Sequence, residues 1–475
     1  MMAAARGRRS TATTARTTAT ALLAVTLLAA AALAGCGDDG DGGSGDGGGA
    51  LDGGMAGDAQ AGDDGGGGDD GAVTPSGPGD LLAVRYPAGA LHSPLSAEVV
   101  ARAGAVLAGS TGRRDVFAKV GASNTVSAGF FHCYSGSDVM WGGSAALQPT
   151  RDYFLRTLAD ASADSFERNS LAATVGWQAS DALQGSPTPL AQEIAAIRPA
   201  FAIVLFGTND SFAAGVAPFE RSLTGVVDTL LGAGVVPIVS TIPPRADSAS
   251  ADAIAREINA IVRLVAARRA VPLVDLWQRL TPLPDYGLAS DGIHLTSFSQ
   301  GGSHPCWLTP AALMEGMNQR NLVSLEAFDR LRRVLDGGAL EAAAPRLAGR
   351  GTWADPYVID AAALPFGDAG DSARSVTSEV GRYACGAQDE GGAEVVYRVR
   401  LAAGTALRAR VFTDDGVDVD LHWLDAPRAD GCVARADKLL DVTAAAGEHW
   451  LVVDSFVSGG VARAGGYRLT LLETP

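Results

Sequence analysis

Between residues 116 and 335 the chain repeats one pattern: a short apolar run closing on a turn, then a longer segment with apolar residues at helical spacing. Val116-Phe-Ala-Lys-Val120 runs into Gly121, Phe201-Ala-Ile-Val-Leu-Phe206 runs into Gly207, and Val235-Val-Pro-Ile-Val-Ser240 and Val271-Pro-Leu-Val-Asp-Leu276 follow. Continuous runs of this length suit strands covered on both faces, which predicts a parallel sheet flanked by helices. The helices are expected over Phe219–Gly232, over Ala251–Arg269 with Ile254, Ile258, Ile261, Val262 and Val265 on the apolar face, and from a Thr309-Pro310 cap to Leu335. The first two turns, after Gly121 and Gly207, fall at strand C-terminal ends, where open α/β sheets bind ligands.

The whole chain has 475 residues, enough for two or three domains, and a formal net charge of −16. That charge argues against a nucleic-acid partner, since phosphate binding needs clustered Lys and Arg. Eleven of the acids lie between Gly37 and Asp80, a stretch of mostly Gly and Asp with no Lys or Arg. Such a segment buries too little apolar surface to offset its ordering entropy and is expected to be a disordered linker over residues 37–80. As a flexible tether it spans about 35–40 Å root-mean-square. Before it, Arg6, Arg8, Arg9 and Arg16 precede an apolar run from Ala21 to Ala32, too short to span a bilayer comfortably. Leu33-Ala34-Gly35-Cys36 resembles the lipobox of bacterial lipoproteins, which implies a signal peptide and lipidation Cys over residues 1–36. The expected location is therefore outside the cytoplasm, lipid-anchored at a bacterial cell envelope, on the outer membrane or cell surface.

Three separated patches carry the chemistry: Ser123, Gly207-Thr-Asn209-Asp210, and Asp291-Gly-Ile-His294. A serine hydroxyl is a poor nucleophile until a base takes its proton, and His294 is the natural base. Asp291, three residues earlier across a turn, can orient the imidazole by accepting from Nδ1. Asn209 offers a side-chain N–H to a tetrahedral oxyanion, joined by the backbone N–H of Ser123 and of a nearby glycine. Taken singly, Ser123, Asn209 and Asp291-Gly are each ordinary turn or cap residues; their joint order and strand context point to catalysis. Asp210 is read either as a support for the Asn209 loop or as an exposed loop acid, and His132 and His304 as local hydrogen-bonding residues.

These patches resemble the SGNH, or GDSL-like, hydrolase family over roughly residues 110–335. The resemblance implies a three-layer, flavodoxin-like α/β domain, assigned to residues 81–340. It implies a serine esterase in which Ser123, His294 and Asp291 are catalytic and Ser123, Gly176 and Asn209 form the oxyanion hole. Gly176 ends Asn169-Ser-Leu-Ala-Ala-Thr-Val-Gly176, the counterpart of the family's Asn/Ser-rich loop; Gly142 or Gly143 is the alternative. Where the family usually reads Gly-Asp-Ser, this chain reads Gly121-Ala122-Ser123, so Asn124 is expected to supply a substitute hydrogen bond. The expected substrates are carboxylic esters, small or on a glycan with O-acetyl or other short acyl groups, and no cofactor or metal is required. The rival readings are an acyltransferase using the same site and a non-catalytic, glycan-binding surface lipoprotein.

Residues 345–475 change character. Short runs such as Glu394–Leu401, Leu407–Phe412, Val419–Leu424, His449–Asp454 and Tyr467–Leu472 recur between turn signals, which predicts a small all-β sandwich. The stretch resembles the bacterial pre-peptidase C-terminal type of domain and implies an accessory role. Asp414, Asp415, Asp418 and Asp420 are read as solvated turn acids rather than a calcium site. With Cys36 lipidated, four cysteines remain and three pairings are possible; Cys133–Cys306 and Cys385–Cys432 keep each bridge within one domain.

Overall fold

A computed structural model describes residues 77–212 and 215–474. The signal segment, Cys36 and the Gly/Asp tract up to residue 76 lie outside the described residues. Strands β1 (Arg113–Gly121), β2 (Pro199–Leu205), β3 (Val236–Ser240) and β4 (Leu273–Val274) form one parallel sheet in that order. Every residue of β2 is buried, as its uninterrupted apolar run requires. A single parallel bridge from Ala173 to Gly121 extends the sheet beyond β1. If that bridge marks a reduced strand, the order is the doubly wound 2-1-3-4-5.

The flanking helices are α1 (Ala97–Ala108), α2 (Ser123–Val126), α3 (Gln148–Phe154), α4 (Pro189–Ile197), α5 (Val216–Gly232), α6 (Ala249–Arg269), α7 (Leu276–Leu280) and α8 (Gly316–Leu335). Local chemistry sets several of their starts. Ser96, Thr188 and Ser248 accept from backbone N–H groups two or three residues into α1, α4 and α6. Two expectations are corrected. The strand expected over Val271–Leu276 pairs at only two residues, because Asp275 accepts from Gln278 N at 3.2 Å and opens α7. The helix expected from Pro310 begins at Gly316, where a Cβ would stand 2.3 Å from the Gly287 carbonyl oxygen; the close approach of these two segments delays the helix.

The C-terminal region contains β5 (Tyr357–Asp360), β6 (Phe366–Asp371), β7 (Glu394–Leu401), β8 (Thr405–Thr413), β9 (Val419–Leu424), β10 (Cys432–Ala436), β11 (Leu439–Ala444), β12 (Gly447–Ser455), a small β13 (Val457–Ser458)–β14 (Val461–Ala462) hairpin, and β15 (Gly466–Glu473). They form a sheet ordered β10-β9-β12-β7-β5 and a second ordered β11-β8-β15-β6. Alternate residues of both sheets, among them Tyr397, Val399, Leu421, Trp423, Leu451, Leu469 and Leu471, meet in a shared apolar core. The disulfide Cys385–Cys432 lies here, and Cys133–Cys306 lies in the α/β region.

The β11-β8-β15-β6 sheet packs on α6, so this helix is buried on two sides. One side faces the parallel sheet; the other carries Leu264, against Gly367, and Glu257. The Glu257 carboxylate, 1% exposed, pairs with Arg410 and lies 3.4 Å from Arg408. Glu220 of α5 meets Arg268 and Arg468, each at 3.3 Å. Residues 77–80, expected to belong to the linker, are part of the described structure. Asp80 N donates to Asp368 at 3.0 Å, the Asp80 carboxylate pairs with Arg85 at 2.5 Å, and Gly79 abuts Tyr357 so closely that a Cβ would come within 2.7 Å of the ring. Replacing Glu257 with Ala strands two guanidinium groups in this seam. The expected loss is about 3 kcal/mol, the lower end for breaking a buried ion pair because both arginines keep some solvent. Urea denaturation measures it, and an unchanged midpoint would mean that solvent already screens the pair.

Candidate active site

Ser123 is the first residue of α2, set on the turn directly after β1. The turn is tight: a Cβ on Gly121 would lie 2.4 Å from Thr125 Oγ1 and 2.6 Å from the Leu205 carbonyl oxygen. As a first-turn residue, Ser123 has a backbone N–H with no acceptor among the described residues. His294 sits in the loop joining Leu288 to Leu295, which pair in an antiparallel bridge. Gly292 adopts φ +70°, and a Cβ there would meet Asp247 N at 2.5 Å. Only glycine satisfies both the left-handed backbone and the close approach, so Asp291 and His294 are folded back onto each other.

The result is a continuous hydrogen-bonded line. His294 Nε2 lies 3.0 Å from Ser123 Oγ, and His294 Nδ1 lies 2.6 Å from Asp291 Oδ2. The other Asp291 oxygen accepts from the backbone N–H of Ile293 and His294 at 2.9 and 3.0 Å. The bond from the His294 ring and these backbone donors hold the Asp291 carboxyl down at about 2. It therefore stays ionised across the neutral and mildly acidic range.

The expected oxyanion residues converge on the same place. Ala172 O accepts from Gly121 N, and Thr174 N donates to Gly121 O, which brings the Gly176 loop beside the Ser123 turn. Asn209 Nδ2 donates to Trp177 O at 2.8 Å, leaving its second N–H without an acceptor among the described residues. Gly176, φ +85°, is exposed, faces open space and has an N–H similarly without an acceptor. The alternative Gly142 packs instead against Leu308. Asp210 is buried rather than an exposed loop acid. Its Oδ1 accepts from Ala179 N at 3.1 Å, tying the Asn209 loop to the segment after Gly176, and burial pushes its carboxyl up to about 6. His304 bonds Asp138 and the Gln300 carbonyl oxygen, a local role as expected.

Beside Asn124, which the sequence pointed to, two supporting residues, Arg320 and Arg245, escaped the sequence reading. Asn124 Oδ1 accepts from Leu295 N at 3.3 Å, linking the turn that carries Ser123 to the loop that carries His294; this is a hydrogen bond of the kind expected from Asn124 in place of the Asp missing at Ala122. Arg320 donates to Asn124 O at 2.5 Å and Thr125 Oγ1 at 3.0 Å, and its guanidinium lies 3.7 Å from the Phe130 ring centre. Burial lowers it to about 9, so it remains a cation at neutral pH. Arg245 donates to Thr208 O and Ser211 Oγ while pairing with Asp247, which lies against Gly292. The available signal was Asn318-Gln-Arg-Asn321, four consecutive polar residues inside an otherwise well-patterned helix, all buried.

The fold and this arrangement define an open α/β enzyme domain with a Ser-His-Asp line at the carboxyl ends of its strands. Residues 135–298 match the GDSL-like Lipase/Acylhydrolase family, a span that includes Gly176, Asn209, Asp291 and His294 and begins after Ser123. The chain thus carries a GDSL-like lipase/acylhydrolase domain over residues 135–298. No curated protein matches it. Among solved structures, an acetyl esterase determined with acetate ion is 16% identical, covers 45% of this chain and 98% of its own, and gives a TM-score of 0.32. An acetyl xylan esterase from Geobacillus stearothermophilus is 14% identical over 46% of this chain and 95% of its own, TM-score 0.31. The pre-peptidase C-terminal domain of a Bacillus anthracis collagenase is 14% identical over 24% of this chain and 91% of its own, TM-score 0.17.

Replacing Arg320 with Met leaves a buried carbonyl and a hydroxyl without their donor. The expected cost is about 2–3 kcal/mol of stability, with kcat falling more than KM rises, because the Ser123 turn loosens while the open substrate surface stays. Steady-state kinetics beside chemical denaturation read both effects.

Proposed function

We propose that this chain is a serine esterase that removes short acyl groups from a large alcohol, such as O-acetyl groups from a carbohydrate. The observation that carries the reading is the unbroken line Ser123–His294–Asp291, with N–H groups of Ser123, Gly176 and Asn209 on the adjoining loops left without acceptors among the described residues. Ser123 Oγ attacks the ester carbonyl as its proton passes to His294 Nε2, and Asp291 stabilises the resulting imidazolium. The Ser123 and Gly176 N–H groups and Asn209 Nδ2 take the oxyanion, each worth about 3 kcal/mol in the transition state. The alcohol leaves with the proton from His294. Water, deprotonated by the same ring, then releases the acid and restores Ser123. No cofactor takes part.

The form of the surface favours a short acyl group. His294, Asp291 and Gly176 are exposed, and Ser123 and Asn209 are half-buried. A cavity of about 470 Å³ beside the sandwich, lined by Arg85, Leu264 and Phe366 among others, contains none of these residues. A long acyl chain needs an enclosed apolar channel to bury its methylenes; a polymeric alcohol needs an open approach. In this reading the chain is exported, lipidated at Cys36 and held off the membrane by the Gly/Asp tract, where it meets extracellular esters.

Hydrolysis of p-nitrophenyl esters tests the reading. Acetate should be cleaved faster than octanoate. Ser123→Ala should lower kcat by at least about 10⁴-fold, and Asn209→Ala by about 10²–10³-fold. A folded Ser123→Ala protein with undiminished rate would refute the mechanism. Asp291, with its folded value depressed to about 2, stays charged through the mildly acidic range, so its own protonation should leave no inflection in the rate profile between about pH 4 and 8.

A further inference from the structure

Away from the Ser123 site, the outer face of the β10-β9-β12-β7-β5 sheet holds carboxylates, among them Asp420, which the sequence pattern had suggested was a solvated turn acid. Glu394, Asp454 and Asp420 are register partners on the adjacent strands β7, β12 and β9, so three acids stand side by side on one face. A fourth, Glu390, comes from the irregular segment that covers that face. All four are at most 2% exposed. Like charges directly opposite each other destabilise a sheet, and burial multiplies the penalty.

The available partners do not balance them. Glu394 accepts from Trp353 Nε1, Thr377 Oγ1 and Glu379 N, and Asp454 Oδ2 accepts from Tyr383 at 2.6 Å. Arg435 pairs with Asp420 Oδ2, and its Nε lies 3.6 Å from Glu390 Oε1, so one guanidinium faces two of the four acids. Among the described residues both oxygens of Glu390 lack a hydrogen-bond partner, and so does Nε2 of His422, a residue on β9 with no exposed surface. His422 Nε2 points at Glu390 Oε1 across 3.6 Å, too far for a hydrogen bond. One ligand atom from each of Glu390, Asp420 and His422 lies within 4.8 Å of the others. Ligands bound at about 2.0–2.2 Å to one small divalent ion stand about 3.3–3.6 Å apart when tetrahedral. The His422–Glu390 separation is already of that size. The neighbouring Cys385 and Cys432 are joined in a disulfide, so neither offers a thiolate.

We propose that Glu390, Asp420 and His422 bind one divalent transition-metal ion of the Zn²⁺ type. An imidazole with two carboxylates suits Zn²⁺ or Mn²⁺, whereas Ca²⁺ favours a shell of oxygens alone. The ion would join the covering segment, through Glu390, to β9, and would reinforce what the Cys385–Cys432 bridge does a few residues away. Its role is structural and separate from ester hydrolysis.

The test uses the full-length protein, stripped with a chelator and dialysed, then titrated with Zn²⁺ alone. Mass spectrometry of bound metal should give one equivalent per chain, and the unfolding temperature should rise with the logarithm of free Zn²⁺. His422→Gln and Glu390→Gln should lose the equivalent and the thermal response while keeping ester hydrolysis, which reports that they are folded. The proposal fails if the wild-type protein retains less than one-tenth of an equivalent with an unaltered unfolding temperature; the acids then share protons instead. It also fails if folded His422→Gln binds Zn²⁺ as tightly as the parent, or if Ca²⁺ stabilises the parent as strongly as Zn²⁺ does.

Discussion

The geometry of the Ser-His-Asp line depends on a row of buried polar side chains along α8. Asn318 accepts from Phe298 N and donates to His304 O and Trp307 O; Asn321 accepts from Phe131 N and donates to Gly129 O and Pro305 O; Arg320 reaches Asn124 O and Thr125 Oγ1. The segments after Ser123 and after His294 are irregular, so their peptide groups have few regular partners. Buried peptide groups without partners are costly. One rigid helix satisfies both loops and so fixes their spacing. The Cys133–Cys306 bridge joins the same two segments by a covalent route. Among the described residues no carboxylate pairs with the Arg320 guanidinium; carbonyl and hydroxyl oxygens and the Phe130 face take the place of water around it.

Helix α6 does a comparable job at larger scale. Ile258 presses on Gly207, where a Cβ would come within 2.5 Å of it, and thereby supports the Asn209 turn from below. On its other side α6 meets the β-sandwich through Leu264 and Glu257. The C-terminal domain is therefore part of what buries this helix, rather than a module tethered by a loose linker. Residues 77–86 run across both, with Asp80 and Arg85 bound to Asp368 of the sandwich and Val84 N bonded to Ala267 O of α6.

Much of this was legible in the sequence because the relevant signals are local. The buried run over Phe201–Phe206 and the three-residue spacing of Asp291 and His294 each work within one strand or one turn. Gly176 was reached only through the resemblance of its loop to the family's Asn/Ser-rich block; in the fold it takes φ +85°. Where the sequence misled, distant contacts had overridden local signals. Thr309-Pro310 is a sound helix start, yet the approach of Gly316 to Gly287 displaces the helix by six residues. Strands β6 and β10 lack clear apolar alternation, since their Gly, Ala and Arg residues gain meaning only from the opposing strand. Asp420 read as a turn acid, but β9 carries it into the sheet and the segment around Glu390 covers it.

The same reasoning explains how the chain tolerates Ala122 at a position where the family it resembles usually reads Asp. A carboxylate there would have to restrain the Ser123 turn from within, by local hydrogen bonds. Here the restraint comes from outside: Asn124 reaches the His294 loop, and Arg320 grips the Asn124 carbonyl and the Thr125 hydroxyl from α8. Ala122 is itself buried, 6% exposed, so an added carboxylate would need new donors or suffer desolvation. The nucleophile and base are thus coupled directly, through Asn124 Oδ1 and Leu295 N. A shift of one loop carries the other with it, and this preserves the Ser123–His294 distance better than separate anchors would.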